Sequence, residues 1–338
     1  MINLKKVGLT ALAGSLAAVT AQAGELSVTG SANVTYVTKS GDNTAQSLGN
    51  DKDVKFSGSG ELDNGWTFAI HTLTKDDFTI SSTATVMTMG SLGSIGVGSG
   101  GGTNVNGAYD EPIPTAYEEN SDAGGQSPSN YVGSIADDNA IIYTSPSYDL
   151  MGMSINYGVE YAIDADTATG KDGAVAADGP TYDEAIGVGV TASVAGLTFG
   201  AYASEATRNN PGGGAAISGE FRDNFSGAAF VNYSFGPVSV GYRISEIQSG
   251  AASASGKNVE AYAIAFNVND NMSVSLATQD IEFDVPSGTN TTETIDAINA
   301  SYTMGAASVR ATMSEATDDA GVAGSDDEHM EISLVLSF

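Results

Sequence analysis

The chain has 338 residues but no cysteine, only two histidines and a single tryptophan. Without cysteine there is no disulfide framework and no thiol chemistry. The histidines, His71 and His329, stand in no H-E-x-x-H pattern, and there is no G-x-S-x-G; nothing local argues for an enzyme. Positive charge is scarce: 12 Lys and Arg stand against 41 Asp and Glu, a net charge of −29. That balance excludes nucleic acid and recognition of anionic headgroups. After Val19 no apolar run approaches the ~20 residues of a membrane-spanning helix.

The first residues, MINLKKVGLTALAGSLAAVTAQAGEL, supply what the rest lacks. Lys5 and Lys6 precede an apolar stretch from Val7 to Val19, and Ala21-Gln22-Ala23 is an A-x-A cleavage site. This pattern predicts a secretory signal peptide over residues 1–23 and a mature chain over 24–338. The mature chain then holds 10 basic against 41 acidic residues, or −31. An exported chain without disulfides needs another source of stability.

Alternation supplies a candidate. Leu26, Val28, Ala32, Val34 and Tyr36 share one parity, and Ser27, Thr29, Ser31, Asn33 and Thr35 the other. Phe225, Val231, Tyr233 and Phe235 oppose Ser226, Asn232 and Ser234; Val238, Val240, Tyr242 and Ile244 oppose Ser239, Gly241, Arg243 and Ser245. Period two with one apolar face is a β-strand. Sixteen such segments follow one another. Short turns, such as Asp63-Asn64-Gly65 and Ala195-Gly196, alternate with longer polar connections, the first of them read from Lys39 to Asp51. An even number of strands with short turns at one end and long loops at the other predicts a closed, antiparallel, all-β transmembrane barrel of 16 strands. Tyr36, Tyr148, Phe235, Tyr302 and Phe338 near strand ends fit interfacial girdles.

One stretch breaks the rhythm. Residues 101–138, GGTNVNGAYDEPIPTAYEENSDAGGQSPSNYVGSIADD, follow the fifth segment and show no period and no basic residue. A loop this long is functional or disordered, and it is expected to fold into the bore of the barrel.

The last segment, HMEISLVLSF, alternates and stops on Phe338. With ELSVTGSANVTYV at the mature start, IIYTSPSY after the long loop and the sixteen-segment count, the chain resembles the Gram-negative general porins, most closely those of alphaproteobacteria. The resemblance implies a homotrimer in the bacterial outer membrane, a barrel wall in contact with lipid, and a channel for passive diffusion of ions and small hydrophilic solutes. It also implies that the loop after strand five forms the constriction. The loop lacks the PEFGG-type signature of enterobacterial porins.

On this basis Asp110, Glu111, Glu118, Glu119 and Asp122 are candidates for the acidic side of the constriction. The resemblance places basic wall residues opposite them, and Lys55, His71, Arg243 and Arg310 have bore-facing parity. The excess of acids would favour cations. No cofactor is required. Asp318, Asp319, Asp326 and Asp327 crowd the last loop, where carboxylates can bind Ca²⁺. Two other readings remain open: a substrate-specific porin, and an exported acidic β-rich adhesin or surface protein without a pore.

Overall fold

The computed structural model describes residues 24–42, 44–75, 77–99, 104–118, 132, 138–163, 184–207, 224–248, 256–284 and 288–338. Residues 1–23, expected from the sequence to be a signal peptide, lie outside them.

Sixteen antiparallel strands follow in chain order: β1 (Leu26–Gly41), β2 (Ala45–Glu61), β3 (Thr67–Thr74), β4 (Ile80–Thr88), β5 (Ser94–Ser99) and β6 (Asp138–Thr144, resuming as Tyr148–Leu150). After them come β7 (Met153–Ala162), β8 (Ala185–Val194), β9 (Leu197–Ala206), β10 (Asn224–Phe235) and β11 (Val238–Gln248). The last five are β12 (Gly256–Asn269), β13 (Met272–Asp284), β14 (Thr291–Met304), β15 (Ala307–Thr317) and β16 (Asp327–Ser337). Each pairs with its neighbour, and β1 pairs with β16 from Ser31↔Ser337 to Gly41↔Asp327, so the sheet closes. Closure leaves no edge strand whose unpaired backbone groups would face hydrocarbon, where each costs several kcal/mol.

The burial pattern is inverted relative to a soluble protein. Leu276 and Ile298 are 53% and 58% exposed, while Gln279, Glu293 and Asn299 are at most 1% exposed. The apolar parity faces outward and the polar parity inward. A sandwich with a dry core would show the opposite, so this inversion decides between the two architectures that alternation alone leaves open. The short turns gather at one end. At Ala195-Gly196 both residues have positive φ (48° and 83°), the geometry of a tight hairpin whose twist matches its strands.

One local expectation is corrected. The polar stretch from Lys39 to Asp51 is not a loop: β1 and β2 stay paired out to Lys39↔Ala45, leaving only residues 42–44 as the connection. Polar side chains are no obstacle where a strand rises to the rim, because the ladder is made by backbone. The segment from Asn139 to Tyr148 is not one continuous strand. Pro146 has no N–H to donate, and the ladder breaks at residues 145–147. Ser145 bridges the gap: its N–H donates to the Tyr157 carbonyl (2.8 Å), and its Oγ accepts from the Tyr157 N–H (2.8 Å).

Candidate functional site

The long connection after β5 turns inward. Residues 104–118 run along the inner wall across ten consecutive strands, and side chains of the wall hold the loop's backbone at intervals. On β7, Glu160 is fully buried and accepts a hydrogen bond from the Val105 N–H (2.6 Å) and another from the Tyr202 hydroxyl on β9 (2.5 Å). Tyr109 hydrogen-bonds to Thr191 on β8 (3.1 Å) and stacks on Tyr202, ring centroids 5.5 Å apart. Asn232 on β10 donates to the Pro112 carbonyl (2.6 Å), and Arg243 on β11 donates to the Asp110 carbonyl. Ile113 packs among Ala261, Ala263 and Ala277. Further on, the Ala116 N–H donates to Ser275 on β13 (2.8 Å), Asn299 on β14 donates to the Glu118 carbonyl (3.0 Å), and Tyr117 donates to Glu331 on β16 (2.5 Å). A backbone segment without strand partners must find its hydrogen bonds elsewhere; here the wall supplies them.

Glycines clear the seat. A Cβ on Gly189 would lie 2.4 Å from the Tyr109 ring, and one on Gly241 would lie 2.4 Å from Pro114. Both positions face the bore, so the loop approaches bare backbone.

Of the acidic candidates, Asp110, Glu111 and Glu118 lie on this segment; Asp110 and Glu118 are partly exposed, whereas both carboxylate oxygens of Glu111 are buried, and Glu119 and Asp122 lie outside the described residues. Of the basic candidates, Arg243 and Arg310 face inward but stand on the loop's own side. Arg243 is fully buried beneath the loop, its guanidinium bonded also to Gln279 (3.2 Å). Arg310 lies over the Tyr117 ring, 5.5 Å from its centroid. These two therefore do not stand across the lumen from the loop; Arg243 is a strut under it. Lys55 on β2 and His71 on β3 face inward from the opposite wall, His71 paired across the ladder with Ser57.

The suggested calcium cluster does not form. Asp318 accepts the Gly324 N–H (2.6 Å) and Asp326 the Asp318 N–H (3.4 Å), while Asp319 and Asp327 are buried. Asp318 and Asp326 serve their own loop's backbone, and among the described residues no group of three or more His, Asp or Glu converges on a metal position. Burial, and then the charge of Asp327, hold the Asp319 carboxyl above the usual range. A raised acid favours the protonated fold, so this contribution is fully present below the ordinary pKa and is lost as pH rises through the raised one. Residues 318–326 are thus expected to resist proteolysis better at pH 4 than at pH 7, and Asp319→Asn to reduce that difference.

Sequence reading missed the loop's anchors Glu160, Asn232, Ser275 and Asn299, and the clearing glycines. Each has inward parity, but nothing local marks it as a loop contact.

A closed barrel with a polar interior, an apolar exterior and a loop laid inside it defines a transmembrane channel. A family model described as Gram-negative porin matches residues 8–337, and the chain belongs to that family. Its members are outer-membrane channels for passive diffusion and not enzymes. No curated protein matches the sequence. Among solved structures, the chain is similar to OmpF of Salmonella typhi in complex with daunomycin, with 12% identity, 94% of this chain and 98% of that one covered, and a TM-score of 0.68. It is similar to the anion-selective porin from Comamonas acidovorans, with 13% identity, 93% and 100% coverage and a TM-score of 0.67. It is also similar to the trimer form of OmpT from Vibrio cholerae, with 12% identity, 94% and 100% coverage and a TM-score of 0.63. At these identities the likeness is one of fold.

Proposed function

We propose that the chain forms a cation-preferring, water-filled channel for ions and small hydrophilic solutes, exported by residues 1–23 and working as a homotrimer. The observation that carries this is the inward loop with Asp110 and Glu118, seated so that the remaining lumen lies between it and the β1–β5 wall. Glu119 and Asp122 add to the same acidic segment. Lys55 and His71 supply the opposing wall, which orients dipolar solutes, while the excess of acids favours cations. An assembly of copies has its own support. On the outward face of β2–β4, Asn50, Lys52, Thr72 and Thr85 stand among apolar residues such as Phe56 and Ile70, whereas the strands β7–β16 present mainly Ile, Val, Leu, Phe and Tyr. A neighbouring barrel is a better partner for such a face than hydrocarbon. One solved relative is a trimer form by its own description.

The test is the reversal potential of the refolded mature protein in a planar bilayer under a KCl gradient. A potential favouring K⁺, reduced in Glu118→Gln, is the expected result; a preference for Cl⁻ would sink the cation reading and leave the channel.

A further inference from the structure

The wall facing the loop contains a second set of acids. Asp51, Asp53 and Lys55 alternate along β2 with the outward Asn50, Lys52, Val54 and Phe56, and pair with the inward Asn33, Ser31 and Thr29 of β1. β3 stops at Thr74, paired with Val54. Above that point no strand among the described residues pairs with the β3 side of β2. Lys75, the first residue past β3, leans back across this opening. Its Nζ lies 3.6 Å from Asp53 Oδ1 and 3.8 Å from Asp51 Oδ2. All three side chains meet water: Lys75 is 43% exposed, Asp51 53% and Asp53 30%.

We propose that Lys75 is a specificity-determining residue of the channel: it sits over Asp51 and Asp53 and masks an acidic patch on the wall opposite the loop. This rests on the cation-preferring reading above and deepens it. With Lys75 in place the triad carries one net negative charge, which the adjacent Lys55 balances. Without it, a permeating cation meets carboxylates on both sides of the lumen: Asp110 and Glu118 on the loop, Asp51 and Asp53 on the wall. Open ion pairs at such distances are weak and screened by salt. The masking is therefore partial and depends on ionic strength, and Lys75 holds the channel's selectivity below what its acids would otherwise give.

The experiment compares cation-to-anion permeability ratios in planar bilayers for the wild type, Lys75→Met, Asp51→Asn/Asp53→Asn, and Lys52→Met. Lys52 is a control of equal charge on the outer face. At low salt Lys75→Met is expected to raise the ratio about twofold or more, with the difference fading in 1 M salt as the Debye length falls to ~3 Å. The double Asn variant is expected to lower the ratio, because Lys75 is then an uncompensated cation, and Lys52→Met to leave it unchanged. The proposal is overturned if Lys75→Met conducts with an unaltered or lower ratio, or if Lys52→Met shifts it equally. A wild type without cation preference defeats the functional reading instead, and the shift between wild type and Lys75→Met still decides the role of Lys75. Lys75 is exposed and outside the strands, so its replacement leaves the barrel intact; heat-resistant migration of the folded protein verifies this for each variant.

Discussion

Gly189→Val is expected to cut single-channel conductance to about half or less of the wild-type value, since ion flow follows the open cross-section of the bore. The new side chain falls on the Tyr109 ring, and Tyr202 and Phe230, with ring centroids 5.5 and 6.1 Å away, leave the ring little room to slide. Wall backbone, locked by two ladders, does not yield. The loop does, and it moves toward the centre of the lumen. The barrel itself should survive, because overpacking of this kind costs about 1–3 kcal/mol and the outward face of β8 is untouched. Folded protein with unchanged conductance would show that Tyr109 does not fix the loop's position.

Arg243→Met should act in the opposite way on the same loop. The substitution keeps the bulk of the side chain under residues 104–118 but removes the donor to the Asp110 carbonyl and the bond to Gln279. Hydrogen bonds to a charged group are worth about 1.5–3 kcal/mol each, and Arg243 is fully buried. The midpoint of guanidinium unfolding should fall correspondingly. The loop, still pinned at Glu160 and Asn299, should fluctuate between them, giving noisier open-channel current without a smaller mean. A variant with wild-type noise and stability would mean that the loop is held without Arg243.

These two predictions concern residues that show how differently the fold and the site were written in the sequence. Arg243 lies between Tyr242 and Ile244, and parity alone sends it inward; the same rule orders Phe225 to Phe235 and the terminal strand. Parity works because a barrel wall is one residue thick, so neighbours in sequence decide the side. It gives no sign of what lies above a wall residue. Asp110 and Arg243 are 133 positions apart, and only the path of the loop brings them together. Asp51 was hidden for another reason: the polar stretch from Lys39 to Asp51 read as a loop, whereas the backbone ladder carries β1 and β2 through it and turns Asp51 into the bore beside Asp53. Gly189 and Gly241 looked like ordinary strand glycines until something was laid across them.

The pairing of β1 with β16 also governs how the chain must be made. The Ser333 hydroxyl donates to Asn33 across 300 positions of sequence (2.6 Å), and the Phe338 N–H donates to the Gly30 carbonyl (2.9 Å). No other seam in the wall joins partners so remote, and such contacts form late because the chain between them must first be ordered. Until then β1 keeps an unpaired edge while fifteen strands are laid down beside it, and an open edge of this length invites wrong partners. The slowest step of assembly should therefore be the meeting of β1 with β16, and it cannot begin before β16 has been synthesised.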